Sequence, residues 1–292
     1  MEKMLHDRKV IALFLLPSLL VFSFTVMLPI LWSVYYSFFH WNGVTPRRFI
    51  GLLNYTRLVG DIYFREAFVN NLVYVLVNLF GQVFIGMLVA LLLTSIRRGR
   101  NFFKTLYFAP TILSTVAVAQ MFVKFYSYNP PGVVNSLLEI VGLGQLKMAW
   151  LGNTSTALIA VAIIECYKNM GLYMVIIYAG LISIPQDVIE AAMIDGASSA
   201  KVFRHIKLPY LKGVLGVSLV MAVNGLLKAF DIPYITTGGG PGSASELLTT
   251  YMYKTAFNSA RYGYGSTIAV FVVIECVLAV SVLRAFINRK EA

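Results

Sequence analysis

The sequence predicts an all-α membrane protein of six transmembrane helices with both termini in the cytoplasm. Three observations predict it. Hydrophobic residues make up 58% of the 292-residue chain, charged residues only 13%, and the mean hydropathy is +0.74. A soluble domain carries about 25% charge, so this chain has too little polar surface to be solvated by water over most of its outside. The apolar residues fall into six long continuous runs, and the basic residues gather at alternate ends of those runs. A soluble enzyme, a disordered chain and a coiled coil are thereby excluded.

Each span follows from length. A bilayer core takes about 20 apolar residues at 1.5 Å rise each, and the runs lie at residues 10–38, 68–96, 104–126, 157–182, 214–230 and 266–287. The first is longer than the apolar core of a signal peptide and no small-residue cleavage site follows it, so it reads as a retained span. Continuous rather than alternating hydrophobicity excludes a closed β-barrel. Without water to satisfy the backbone, runs of this kind must be helices. Between spans three and four, residues 133–141 read as a short amphipathic helix at the surface. With neither heptads nor an internal repeat evident, the chain reads as one membrane domain, 1–292.

Orientation follows from Lys and Arg. One side collects Lys3, Arg8, Lys9, Arg97, Arg98, Arg100, Lys104, Lys201, Arg204, Lys207, Lys212, Arg284, Arg289 and Lys290. The other holds Arg47, Arg48, Arg57, Arg65, Lys124, Lys147, Lys254 and Arg261. Fourteen against eight places the first side, with both ends, in the cytoplasm. The net charge of +11 is thus a topology signal before it is a nucleic-acid footprint, and no nucleic-acid partner is expected. Cys166 and Cys276 lie in apolar runs and no zinc spacing exists.

The loop at 183–212 is the most informative segment. Pro185 is placed to open a helix with Ser183 as its cap, and Gly196 to close it in the left-handed conformation that glycine tolerates best. Ser198 or Ser199 can start a second short helix, which Pro209 ends before span five. The result is a helix–turn–helix on the cytoplasmic face, held at both ends by membrane helices. Ala191 and Ala192 allow close approach, Ile189, Met193 and Phe203 offer apolar anchors, and Glu190 offers an acceptor for a basic partner.

These residues resemble a known family. Glu190, Ala191 and Ala192, then Gly196, then Ile206, Leu208 and Pro209 match in spacing the EAA signature of binding-protein-dependent ABC importer permeases. Asp195, Gly196 and Ala197 are similar to its carbohydrate branch, of maltose and oligosaccharide type. So are the stretch from Phe230 to Pro241, the stretch from Tyr262 to Ser266, and Phe49 to Tyr55 after span one. Gly213 departs from the pattern, since many members carry proline there. The resemblance covers most of the chain and implies a type I ABC importer permease of bacterial or archaeal plasma membrane. It further implies a second, related permease, two ATPase subunits that bind ATP and magnesium, an extracytoplasmic solute-binding protein and a sugar substrate. Independently, no Gly-x-x-x-x-Gly-Lys-Ser/Thr phosphate loop occurs anywhere, so this chain is not expected to be an enzyme or to hold a cofactor. The run Gly238–Gly240 lacks the lysine and reads as an outside turn, or as a contact for the binding protein.

Polar residues within the spans are the candidates for a solute pathway, because an ionised side chain at mid-membrane costs about 2.5–3.5 kcal/mol on insertion scales. Span four carries Glu165, Lys168 and Asn169 on one face, continued by Tyr173. Span five carries Asn224 and Lys228, with Asp231 at its outer end. Asn78 and Gln82 lie in span two, Gln120 in span three and Glu275 in span six. Asn, Glu, Lys and Tyr side chains suit sugar hydroxyls and C–H faces. The structural readings stand beside this. Glu165 and Lys168 can form an ion pair that fixes the bundle, Asn78, Gln82 and Gln120 can act as interhelical glue, and Lys228 and Asp231 can pair at the interface. Two rival functions remain on the residues alone. A stand-alone proton-coupled secondary transporter would use Glu165 and Glu275, but no inverted repeat supports it. An intramembrane protease would need a histidine in a span, and His6, His40 and His205 fall at ends or in loops.

Overall fold

The computed structural model describes residues 8–96 and 98–288. Four of the basic residues that set the expected topology, Lys3, Arg97, Arg289 and Lys290, lie outside the described residues. Among the described residues, five helices are long and apolar enough to cross a membrane: Leu13–Ser37, Ile62–Ser95, Ala157–Ile182, Ser199–Thr236 and Tyr262–Ile287. A bent pair, Arg100–Ile112 and Thr115–Phe125, makes a sixth if counted as one span. The fold is thus the expected all-α membrane architecture. The chain groups into two compact units: one made of the residues up to Asp61 with Met252–Val273, the other of Ile62–Tyr251 with the residues from Ile274 onward.

In the first unit, the most apolar stretch of the opening helix buries none of its residues, as suits a helix whose solvent is lipid. The next twenty or so residues tie down its end. Phe39–His40 pairs antiparallel with Arg48–Phe49, and the chain then turns into the short helix Leu53–Gly60. Asn54, 2% exposed, donates from Nδ2 to the carbonyls of Ser37 at 2.8 Å and Phe39 at 3.1 Å. Helix ends leave carbonyls without partners, and this amide supplies one where water is scarce. Thr267 Oγ1 donates to the same Ser37 carbonyl at 3.4 Å, and the Ser37 hydroxyl meets that of Tyr55 at 2.7 Å. The Asn54–Tyr55 pair after span one therefore has a structural job.

The second unit is built around the helix Ala157–Ile182. It buries Ala160, Val161, Ala162, Ile164, Gly171, Met174 and Ile177, and its partners are the helices on either side. Small residues let membrane helices approach closely. Gly171 is the tightest case: a Cβ there would run into the carbonyl oxygen of Tyr107 and lie 2.8 Å from Phe108 Cα. Only a hydrogen fits between the two backbones.

Several boundaries differ from expectation, three of them instructively. The third span is not straight: its halves meet at 98°, with Ser114 extended (φ −55°, ψ 131°) at the start of the second half. The break spans Leu113 and Ser114, with Pro110 in the last turn of the first half and Ser114 at the N-cap position of the second, while the pattern of hydrophobicity runs through it unchanged. The second helix starts at Ile62, six residues before the apolar run, because helix formation continues past the edge of the hydrocarbon-like sequence. Pro209 does not end a helix. A wide turn at Phe203–Lys207 leads into Leu208–Leu226 with proline in its first turn. The i→i−5 spacing there bonds the Leu208 amide to the Phe203 carbonyl, and proline at this position sacrifices no amide that the helix needs.

Candidate functional site

The elbow between the fourth and fifth spans is the first candidate. The helix Gln186–Ile194 buries none of its residues, while the chain on either side is anchored by Ile184 and Val202, 5% and 4% exposed. Its shape is set by its own backbone. Gly196 sits at φ +78°, the Gly196 amide bonds the Met193 carbonyl at 3.1 Å, and the Ala197 amide bonds the Ala192 carbonyl at 2.9 Å. These paired bonds close the helix by the Schellman arrangement. Ser198 then caps the next turn, accepting from the Lys201 amide at 3.4 Å. Ser183 does not cap the elbow helix. Its hydroxyl donates to the Gly180 carbonyl at 2.8 Å and ends the preceding span, so Pro185 alone occupies the residue before Gln186.

On this elbow Glu190 is exposed and accepts from Gln186 Nε2 at 3.1 Å. Ala191, Asp195 and Pro209 are exposed, while Ala192, Ile206 and Leu208 are half-buried. Met193 is 54% and Ile194 86% exposed. Ile194 is an additional anchor that the sequence pattern does not single out; its position, one step past Met193 and just before the closing turn, is the available signal. The exposed face thus combines small residues, two large apolar side chains and carboxylates, on a support that keeps its form without burial.

The second candidate is the polar layer inside the second unit. Tyr74, Asn78 and Gln82 recur every four residues on the helix Ile62–Ser95 and meet Glu165 and Cys166 of the helix Ala157–Ile182. Tyr74 donates its hydroxyl to Glu165 Oε2 at 3.2 Å, and Asn169 donates from Nδ2 to Glu165 Oε1 at 2.6 Å. Gln82 Nε2 donates to Asn78 Oδ1 at 3.0 Å and to the Glu165 carbonyl at 3.3 Å. Asn78, wholly buried, donates to the Tyr74 carbonyl at 3.0 Å and accepts from the Cys166 thiol at 3.3 Å. Both amides therefore sit between helices, where hydrogen bonds hold the pair together. Glu165 and Asn169 are half-buried at the edge of this layer and Tyr173 is buried. Tyr74 is a member that the sequence reading misses, although its spacing from Asn78 and Gln82 makes a legible stripe.

Lys168 does not pair with Glu165. Its ammonium points to the break in the third span, 3.4 Å from the Thr111 carbonyl and 3.3 Å from that of Leu113. Thr111 returns the contact, donating from Oγ1 to the Lys168 carbonyl at 2.9 Å. A bend of this size leaves carbonyls without amide partners, and a cation donating to them stabilises both. Lys228 and Asp231 are exposed and do not pair with each other; Asn224 is half-buried and Gln120 exposed. Both carboxyl oxygens of Glu275 are buried without a hydrogen-bond partner. Among the described residues no cluster of His, Cys, Asp or Glu could hold a metal ion.

Comparison with known proteins gives the family. Residues 82–291 match the family described as binding-protein-dependent transport system inner membrane component. The probable ABC transporter permease protein YurN of Bacillus subtilis is 38% identical over 294 residues, covering 99% of this chain and 100% of the relative. The multiple sugar-binding transport system permease protein MsmF of Streptococcus mutans is 33% identical, covering 90% of this chain and 89% of the relative. The trehalose/maltose transport system permease protein MalF of Thermococcus litoralis is 31% identical, covering 92% and 90%. A subunit of a bacterial ABC transporter involved in the import of the acidic polysaccharide alginate shares the fold, with a TM-score of 0.84 at 22% identity over 96% of this chain and 95% of that one.

Proposed function

We infer that this chain, which belongs to the family of binding-protein-dependent transport system inner membrane components, is a permease subunit of an ATP-driven importer for sugars or oligosaccharides. The membrane localisation follows from the family and from the apolar helices. Relatives named for multiple sugars and for trehalose and maltose support the substrate class. A neighbour of the same fold was solved in complex with a substrate-loaded periplasmic protein, which supports delivery of the solute from outside.

The observation that carries the reading is the elbow. Its helix Gln186–Ile194 buries none of its own residues, yet its shape is locked by the turn at Gly196 and by buried residues on both sides. A rigid, exposed element joined to two spans transmits force well, because displacement of the elbow must move the helices it is fused to. The chain carries no phosphate loop of its own. Two separate ATPase subunits, holding ATP and magnesium, would bind here and move the elbow as they close. A second, related permease would complete the pathway. Glu165 and Asn169, at the edge of the polar layer, are the residues of that layer best exposed to meet sugar hydroxyls. Asn224, Lys228 and Gln120, exposed or half-exposed, would extend the lining.

The test is reconstitution. The chain with its companion permease, ATPases and binding protein should accumulate labelled sugar only when all are present and ATP is supplied. Accumulation by this chain alone under a proton gradient would overturn the reading in favour of a stand-alone secondary transporter.

A further inference from the structure

The second unit holds a groove that the transport reading does not use. It measures about 510 Å³ and lies between the start of the fifth span and the end of the last, lined by Gly213, Gly216, Val217, Met221, Arg284 and Ile287. Two glycines open it. A Cβ at Gly213 would meet nothing within 4 Å, and one at Gly216 would meet Ile287 at 3.1 Å. The walls are aliphatic, and Val217 and Met221 are 58% and 47% exposed. No carboxylate lines the groove. Arg284 is its single charge; it is exposed and makes no hydrogen bond or ion pair among the described residues.

The charges around the groove say what fits. Lys212 directly precedes the lining residue Gly213 in the helix Leu208–Leu226, and Arg284 lies in the last two turns of the helix Tyr262–Asn288. Long basic side chains near span ends keep their heads at the interface while their stems lie on apolar surface. A free guanidinium donates two parallel hydrogen bonds to a phosphate. An aliphatic channel leading away from it matches an acyl chain. We propose that this groove binds one anionic phospholipid, with its phosphate on Arg284 and one acyl chain along Val217 and Met221. The site is independent of which solute is carried.

The experiment is native mass spectrometry of the full chain, purified in detergent, delipidated and titrated with phosphatidylglycerol or with phosphatidylcholine of the same acyl chains. The wild type should retain one phosphatidylglycerol with roughly fivefold preference, the size expected of one basic residue facing an anionic lipid. Arg284→Gln should abolish that preference, while Arg57→Gln, remote in sequence, should bind as the wild type does. Gly213→Leu, which adds a side chain in open space, should weaken both lipids. Inorganic phosphate at millimolar concentration should not displace the lipid. Equal affinity for the two lipids, a preference that survives Arg284→Gln, or displacement by phosphate would overturn the proposal. So would a Gly213→Leu chain that binds lipid normally but no longer co-purifies with its companion permease, since the groove would then seat a protein helix.

Discussion

Replacing Gly171 by alanine should prise the helix Ala157–Ile182 away from the first half of the broken third span, Arg100–Ile112. A methyl at this position would overlap the Tyr107 carbonyl oxygen and lie 2.8 Å from both Phe108 Cα and the Tyr107 carbonyl carbon, against an optimum of about 3.5–4.0 Å between carbons. All these atoms are backbone, so no side chain can swing away. Overpacking a tight interface costs about 1–3 kcal/mol, and the upper end applies where the obstacle is main chain. At roughly 2–4 °C per kcal/mol for a chain of this size, thermal unfolding of the purified protein in detergent should fall by about 5–10 °C. Gly213→Ala is the matched control. It lies in a helix with no atom within 4 Å of the new methyl, and alanine is favoured over glycine there by about 0.5–1 kcal/mol. Its unfolding temperature should hold or rise. If Gly171→Ala unfolds with the wild type, or if both variants shift alike, the close backbone approach is not what holds these helices together.

The elbow and the polar layer give further expected outcomes. Glu190→Lys should let the protein insert normally but separate ATP hydrolysis from uptake, and Gly196→Pro should do the same because proline is locked near φ −65° where the elbow needs +78°; uptake surviving both changes would remove the elbow from the mechanism. Lys168→Met should withdraw the cation from the Thr111 and Leu113 carbonyls and cost about 1.5–3 kcal/mol, seen as a lower unfolding temperature with neutral and acidic sugars affected equally; loss confined to acidic sugars would make Lys168 a ligand instead. Glu165→Gln should lower uptake while leaving the unfolding temperature within a few degrees, since Gln retains an acceptor for Tyr74; unchanged transport of every tested sugar would take Glu165 out of the pathway. Asn78→Leu should cost about 1–3 kcal/mol by leaving one N–H of Gln82 without its Asn78 acceptor, read as a drop in unfolding temperature and not as altered sugar preference.

How much of this is legible in the sequence depends on what each feature rests upon. Span four lies at its expected limits because nothing but apolar length decides it. The elbow is legible because Gly196 and Ser198 act locally, through a positive φ and a cap that need no distant partner. The bend in the third span is harder to read, since its local signals, Pro110 and the N-cap residue Ser114, sit inside an unbroken apolar run and the bent form is supported by Lys168, more than fifty residues away. The same is true of Lys168 itself, whose spacing from Glu165 suggests a pair on one helix while its ammonium reaches a different one. Pro209 misleads for the opposite reason: proline has a strong local meaning, but a wide turn just before it lets the helix continue. The unpaired carboxyl of Glu275 has no account in the described contacts.

The exposed apolar tip of the elbow also bears on how the chain behaves when nothing covers it. Met193 and Ile194 stand in water on a firmly shaped knob whenever no companion covers them. Apolar surface left in water favours association with whatever can cover it. Under the proposed coupling, a copy without companions would keep this tip bare and be the form more prone to stick to itself.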